Sequence, residues 1–385
     1  MICVLDNIFN ALITTNMRLY KCFIFLLALM LFCQKPKAQS ALLHPGFDKA
    51  EYLELLKITA RQVDTPWIKV QPPASEKFKL VYRSATMGLD NRWDLWVADN
   101  GIAVISIRGT TTNIVSWMEN FYAAMVPATG TIHISNTDTF SYQLAKNPRA
   151  AVHTGWLIGT AFLSKDILPK IDSLYKTGCR NMIVLGHSQG GGIAYLLSSH
   201  LANLQEKKLI PSNIQFKTYC SAAPKPGNLF FAYEYESRML DGWGFNVVNS
   251  ADWVPETPLS VQALSDFNQT NPFTNAKPII SKQPFPKNIA LKYAYNKLNN
   301  ASIRANKRYE KYLGKTVAGI VAKSLPGFEA PEYASGFNYV RVGPTIVLLA
   351  NDAYYQSFPD NPEKIFVHHF IDAYWFLANQ LQDKH

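Results

Sequence analysis

Apolar and polar residues recur with two periods along this chain, and the switches between them lay out an architecture. Tyr52, Leu55, Leu56 and Thr59 fall at helical spacing, with Asp48, Glu51 and Lys57 opposite, so an amphipathic helix is predicted within 44–63. Phe78–Ser84 and Trp93–Ala98 alternate as half-buried strands do, and Asp99-Asn100-Gly101 supplies a hairpin turn. Ile102–Ile107 is almost continuously apolar, which suits the centre of a sheet. Ile114, Trp117, Met118 and Phe121 then stand at i, i+3, i+4 and i+7. Residues 127–150 are polar and Thr-rich, and are expected to wrap the surface. A long helix is predicted from Val152 to about Tyr175, a strand over Met182–Leu185 and a helix face at Ile193–Leu197. Ile214–Cys220 reads as a strand, Phe230–Leu240 as a helix and Phe245–Asn249 as a strand. Phe337–Val342 and Thr345–Leu349 read as a strand pair, and a last helix carries Phe370, Tyr374, Leu377 and Leu381 on one side. Strands alternating with helices imply a mainly parallel sheet with helices on both faces.

The chemistry gathers where the Met182–Leu185 strand meets its helix. Gly186-His187-Ser188-Gln189-Gly190 is a Gly-x-Ser-x-Gly sequence between a buried strand and a helix, the context of a nucleophile elbow. So sharp a turn strains the serine backbone and lifts its hydroxyl above the sheet edge, with the Gln189 N–H pointing to the same spot from a helix N-terminus. The bland alternative is a Gly-rich turn holding an idle serine. A serine nucleophile needs a base, an orienting acid and two donors for the developing oxyanion. Thr110, just past the Ile102–Ile107 strand and after Gly109, could be the second donor, or merely part of a helix N-cap. Asp252 follows the Phe245–Asn249 strand and leads Glu256 as the acid, since Glu256 lies deeper in the loop stiffened by Pro255 and Pro258. For the base, His368 and His369 both precede the last helix; His369 opens it and is the first choice, with His153 a more distant one. His187 is expected to pack beside the elbow. The Ile114, Trp117, Met118 and Phe121 stripe has two readings: a helix packed on the core, or a lid and substrate-binding surface that shows its apolar face to lipid.

Composition narrows the setting. At 48% hydrophobic and 17% charged residues, the 385-residue chain is globular with a sizeable core. Residues 1–39 read as a leader: a basic start at Met17–Lys21, an apolar run Cys22–Phe32 too short to span a bilayer comfortably, and a polar break. Export to the extracellular space, periplasm or cell surface is therefore expected. Three of the five cysteines lie in this leader, and the other two, Cys179 and Cys220, fall at positions too far apart for a disulfide. No Cys or His spacing suits a metal, and no internal repeat appears.

Taken together, Ile105–Thr110, Val152–Gly155, Val184–Gly191, Thr218–Asn228, Val248–Pro255 and the closing His369 with Tyr374 resemble the class 3, fungal-type, lipases in order and spacing. The resemblance spans roughly 78–262 and 337–378. It implies an α/β-hydrolase fold and hydrolysis of acylglycerols or related esters at a lipid interface. It also implies Ser188 as nucleophile, Asp252 as acid, His369 as base, Thr110 and Gln189 as oxyanion donors, and 112–125 as lid. No cofactor or metal is required, and no nucleic-acid partner is expected. Two departures stand out. Gln189 is polar where the family usually has an apolar residue, and 263–336 has no counterpart in the short fungal members. This insert, placed between acid and base, holds eleven basic residues against four acidic ones, a net +7, in a chain of net charge +10. It has two readings: a solvated helical cap, or a segment that guides anionic lipid surfaces or fatty-acid product. Other ester preferences, esterase or phospholipase, and a non-catalytic lipid-binding scaffold are the alternatives.

Overall fold

A computed structural model describes residues 43–62 and 71–382. The expected leader, 1–39, lies outside the described residues. Among the described residues the first elements are α1 (Lys49–Thr59), β1 (Phe78–Arg83), β2 (Trp93–Ala98) and β3 (Ala103–Ile107). Next come α2 (Ile114–Phe121), β4 (Met125–Pro127), β5 (Thr129–His133), β6 (Thr139–Gln143), β7 (Ala151–His153) and α3 (Thr154–Lys176). The centre of the fold is β8 (Asn181–His187), α4 (Gln189–Glu206) and β9 (Gln215–Ser221). After it run β10 (Gly227–Asn228), α5 (Leu229–Met239) and β11 (Gly244–Asn249). The insert contributes α6 (Ala276–Ser281), α7 (Lys287–Glu310), a π-helical turn over Lys311–Thr316 and α8 (Val317–Ser324). The chain closes with β12 (Tyr339–Val340), β13 (Thr345–Leu348), α9 (Asp352–Ser357) and α10 (Ile371–Gln380).

Seven strands form the main sheet in the order β1-β2-β3-β8-β9-β11-β13. β1 to β3 are antiparallel neighbours, and every pairing from β3 to β13 is parallel. Side chains along β8 alternate between the two sides, as the period of two requires. Met182 and Val184 join one apolar cluster with Ile193, Leu197 and Trp156, while Ile183 and Leu185 join another with Tyr52, Leu55 and Tyr374. Both faces are thus covered, by α3, α4 and α5 on one side and by α1 and α10 on the other. This is the doubly covered, mainly parallel sheet of an α/β-hydrolase, with a helical insert between β11 and β13.

Register brings the strand ends together. Ile107 lies beside Gly186, His187 beside Ser221, and Ser221 beside Val247. The loops leaving β3, β8 and β11 therefore emerge at one carboxyl edge, where open parallel sheets place their ligands.

One expectation is corrected here, and two segments gain a definite structure. Residues 127–150 include an antiparallel hairpin of Thr129–His133 and Thr139–Gln143 that buries Ile132, Phe140 and Tyr142. The segments 337–342 and 345–349 do not pair with each other. β12 joins β10 in a separate four-stranded sheet, and β13 extends the main sheet beside β11. The stripe on α2 is not core. Ser116 and Glu119 are its buried residues, whereas Ile114 and Phe121 are exposed and Trp117 and Met118 half-buried. Cys179 and Cys220 are both free and buried, as their separation leads one to expect.

Candidate active site

Ser188 sits between the end of β8 and the first turn of α4 with φ 60° and ψ −130°. A residue with a Cβ holds such a backbone only when its surroundings impose it. The imposition is visible in the two flanking glycines. A Cβ on Gly186 would lie 2.0 Å from the Gly190 carbonyl oxygen, and one on Gly190 would lie 2.3 Å from that of Ile107. The elbow is therefore pressed between its own turn and the end of β3. The Ser188 N–H donates to the Ser221 carbonyl at 2.9 Å, and the Ser188 carbonyl accepts from the N–H groups of Gly191 and Gly192. Ser188 is half-buried, and its hydroxyl makes no hydrogen bond among the described residues.

The imidazole and carboxylate meet from distant loops. His369 Nδ1–H donates to Asp252 Oδ2 at 2.7 Å, and both residues are buried. The same carboxylate oxygen accepts from the Tyr374 hydroxyl at 2.8 Å, and Oδ1 accepts from the Val254 N–H at 3.0 Å. With its hydrogen on Nδ1, the neutral imidazole carries its lone pair on Nε2. Glu256, the rival acid, is exposed. His368 faces elsewhere: its Nδ1 meets the Tyr354 hydroxyl at 2.8 Å and its Nε2 meets Asp360 Oδ1 at 2.9 Å. His153 caps α3, accepting from the Trp156 N–H and stacking on the Trp156 ring at 3.7 Å. Burial depresses its pKa to about 3.

His187 packs against His369, with ring centroids 5.1 Å apart. Burial, then the neighbouring His369, lowers its pKa to about 3, so it is neutral and has one donor and one acceptor. Its Nε2 lies 2.9 Å from the His369 carbonyl oxygen, which can only accept, so Nε2 carries the hydrogen. Nδ1 then accepts from the Ser221 hydroxyl at 3.0 Å, which in turn accepts from Tyr52 at 2.7 Å. This directed chain, Tyr52 to Ser221 to His187 to the His369 backbone, pins the loop that carries the imidazole. Motif spacing gave no sign of it, because Tyr52 and Ser221 come from distant elements.

Gln189 opens α4, so its backbone N–H has no partner within the helix and is available above the sheet edge. The Gly109–Thr110 segment lies against the elbow: a Cβ on Gly109 would come within 3.4 Å of Ser188 Cβ. The polar side chain of Gln189 has a part that the sequence did not suggest. Its Oε1 accepts from Thr110 Oγ1 at 2.9 Å, Ser116 Oγ at 3.2 Å and Asn120 Nδ2 at 3.2 Å. Asn120 also donates to Thr110 Oγ1 and accepts from Trp156 Nε1. One amide oxygen thus ties α2 to the elbow through its polar face, which leaves the apolar residues outward. The Trp117 and Phe366 rings meet at 5.9 Å, tilted by 49°, and Phe366 stands 5.9 Å from the His369 ring and 5.4 Å from Trp253. An aromatic roof therefore runs from α2 to the imidazole.

Glu119, on the inner face of α2, is wholly buried, and its Oε2 accepts from Asn91 Nδ2 at 2.7 Å. Burial holds its carboxyl pKa well above the usual range, the Asn91 amide opposing and the Asp90 charge adding. The acid is therefore protonated in the fold at a pH where the unfolded chain has lost that proton. Its stabilising share is full below the unfolded carboxyl pKa and shrinks as pH rises towards the folded value, at about 1.4 kcal/mol per pH unit. In denaturant titrations from mildly acidic to mildly alkaline pH, Glu119→Gln should gain stability relative to the parent as pH rises. A difference that stays flat with pH would place the charged form in the fold.

Residues 104–262 match the family model of the class 3 lipases. Over that span the chain is similar to the class 3 lipase family. It is a carboxylic ester hydrolase of lipase-like type. No curated protein matches it significantly. Among solved structures, it is similar to the Rhizomucor miehei triacylglyceride lipase at 20% identity, covering 56% of this chain and 77% of that one, with a TM-score of 0.40. It is also similar to a lipase from Rhizopus microsporus var. chinensis, at 22% identity over 59% and 76% of the two chains and a TM-score of 0.39. The Lip2 lipase of Yarrowia lipolytica stands at 17% identity over 56% and 77%, also with a TM-score of 0.39. The matched span begins one residue into β3 and contains β8 and β11, and the loop carrying His369 lies beyond it.

Proposed function

We propose that the chain is an exported lipase, a leader followed by one hydrolase domain, that cleaves carboxylic esters of lipids through an acyl-enzyme on Ser188. The observation that carries this reading is the 2.7 Å contact of His369 Nδ1 with Asp252, together with a serine held on a strained elbow at the same sheet edge. In the first step His369 Nε2 takes the hydroxyl proton as Ser188 Oγ attacks the ester carbonyl. Asp252 stabilises the imidazolium that forms, and the Tyr374 hydroxyl shares that carboxylate. The N–H groups of Thr110 and Gln189 receive the oxyanion. The imidazolium then gives its proton to the departing alcohol. Water repeats the sequence on the acyl-enzyme and releases the fatty acid. The Thr110 hydroxyl is already engaged with Gln189 Oε1, so the backbone donors carry the oxyanion unless that bond exchanges.

Helix α2 serves as the lid in this reading. Its polar side is bonded to the elbow while Ile114 and Phe121 face outward, an arrangement suited to contact with lipid rather than water. The test is a series of p-nitrophenyl esters of rising acyl length, assayed below and above the concentration at which each forms an interface. The reading predicts preference for long chains and a jump in rate when the interface appears. Short-chain preference with no jump would make the protein an esterase acting on soluble substrates.

A further inference from the structure

We propose that α7, in the insert, is a docking element for an anionic lipid surface; the inference builds on the lipid-ester reading of the active site. A 24-residue helix in a globular protein ordinarily buries one stripe, yet α7 buries no residue. Its half-covered positions include the polar Asn288, Asn296, Asn299, Ser302 and Asn306, with Tyr295, Ala305 and Tyr309 as the apolar ones and Tyr309 packed on Phe337, so what faces the protein is polar over most of the helix. What faces solvent is cationic and apolar together. Lys297, Arg304, Arg308 and Lys311 recur at spacings of seven, four and three, which keeps them on one side of the helix. All four are exposed, and among the described residues none is in a salt bridge. Interleaved or flanking are exposed Phe285, Ile289, Tyr293, Leu298 and Tyr312, with Phe285 at 78% and Leu298 at 76% of their full exposure. Water makes such side chains costly; the headgroup and acyl boundary of a membrane accepts both halves of the pattern. Charge alone would suit any polyanion, and the large exposed apolar residues are what favour lipid.

The insert is also joined to the lid. The Ala124 N–H, three residues past α2, donates to the Leu313 carbonyl in the π-helical turn at 3.0 Å. Tyr122 and Tyr333 share a hydroxyl contact at 2.8 Å, and α8 packs against α2. A surface held by α7 is thereby held next to the helix that roofs the catalytic imidazole.

The experiment uses the full chain carrying Ser188→Ala, so that binding is read without turnover. Its sedimentation with phosphatidylcholine vesicles is compared with that on vesicles enriched in phosphatidylglycerol, at low and high salt. The triple variant Lys297→Glu, Arg304→Glu, Arg308→Glu is measured beside it, and the same triple change in the active protein is assayed on a soluble ester. Each basic residue near an anionic surface contributes enough that losing three should weaken phosphatidylglycerol binding by about 10²-fold or more. Binding by the parent should fall with salt, and soluble-ester turnover should not change. Equal binding of both vesicles, or a triple variant that binds phosphatidylglycerol as the parent does, overturns the proposal. So does binding of soluble polyglutamate or an oligonucleotide in preference to vesicles, which would mark a protein or nucleic-acid surface. Loss of soluble-ester hydrolysis in the parent protein would instead strike the active-site reading and leave the vesicle result standing.

Discussion

Ser188→Gly should remove nearly all turnover and at the same time make the protein more stable. Deleting the nucleophile of a serine hydrolase costs about 10⁶ in kcat, and the remaining rate comes from oxyanion donors and binding. The stability gain has a separate cause. Ser188 holds φ 60° and ψ −130°, a conformation that glycine reaches without a clash and other residues reach only under strain. Relief of that strain is worth about 1–3 kcal/mol, less the extra freedom that glycine gives the unfolded chain. A net gain of about 1 kcal/mol is expected in denaturant unfolding. Ser188→Ala has the same kinetic outcome without the gain, because alanine keeps the Cβ. Equal stability of the two variants would show that the elbow stores no strain.

Asp252→Asn should lower kcat by about 10⁴ while KM changes little. The reason lies in what meets the carboxylate. Oδ2 accepts two donors, His369 Nδ1–H and the Tyr374 hydroxyl, and Oδ1 accepts the Val254 N–H. An amide nitrogen facing Nδ1 would drive the imidazole hydrogen to Nε2, leaving no lone pair towards Ser188. Tyr374→Phe removes one of the two donors to Oδ2 but leaves the imidazole tautomer intact, so its kinetic loss should be far smaller. Steady-state kinetics of the two variants on one soluble ester separates these roles. Comparable losses would mean that Asp252 holds the loop rather than the tautomer.

The parts of the site readable from sequence were those set by short range or by order along the chain. Gly186, Ser188 and Gly190 declare the elbow because the collisions they avoid lie within the turn and with the adjacent strand. Asp252 and His369 were reachable because parallel topology forces successive loops to one edge. His368 and His369 differ by one place, and only packing tells them apart: one points to Asp360, the other to Asp252. What escaped was set by distant partners. The side chain of Gln189 gathers Thr110, Ser116 and Asn120, and the Tyr52–Ser221–His187 chain reaches the backbone of His369. The α2 stripe kept two readings open for a related reason. Helical periodicity shows that two faces differ but not which one is buried, and here a protonated carboxyl and a serine lie inward. Strand pairing was lost at 337–349 because alternation marks a strand without naming its neighbour.

The account rests on a reactive hydroxyl at 188, and a fluorophosphonate probe reads that property directly. The intact protein should take up one phosphonyl group, mapped by peptide mass spectrometry to Ser188, with the rate falling steeply in Asp252→Asn. A folded protein that stays unlabelled, or that is labelled at another residue, would contradict it.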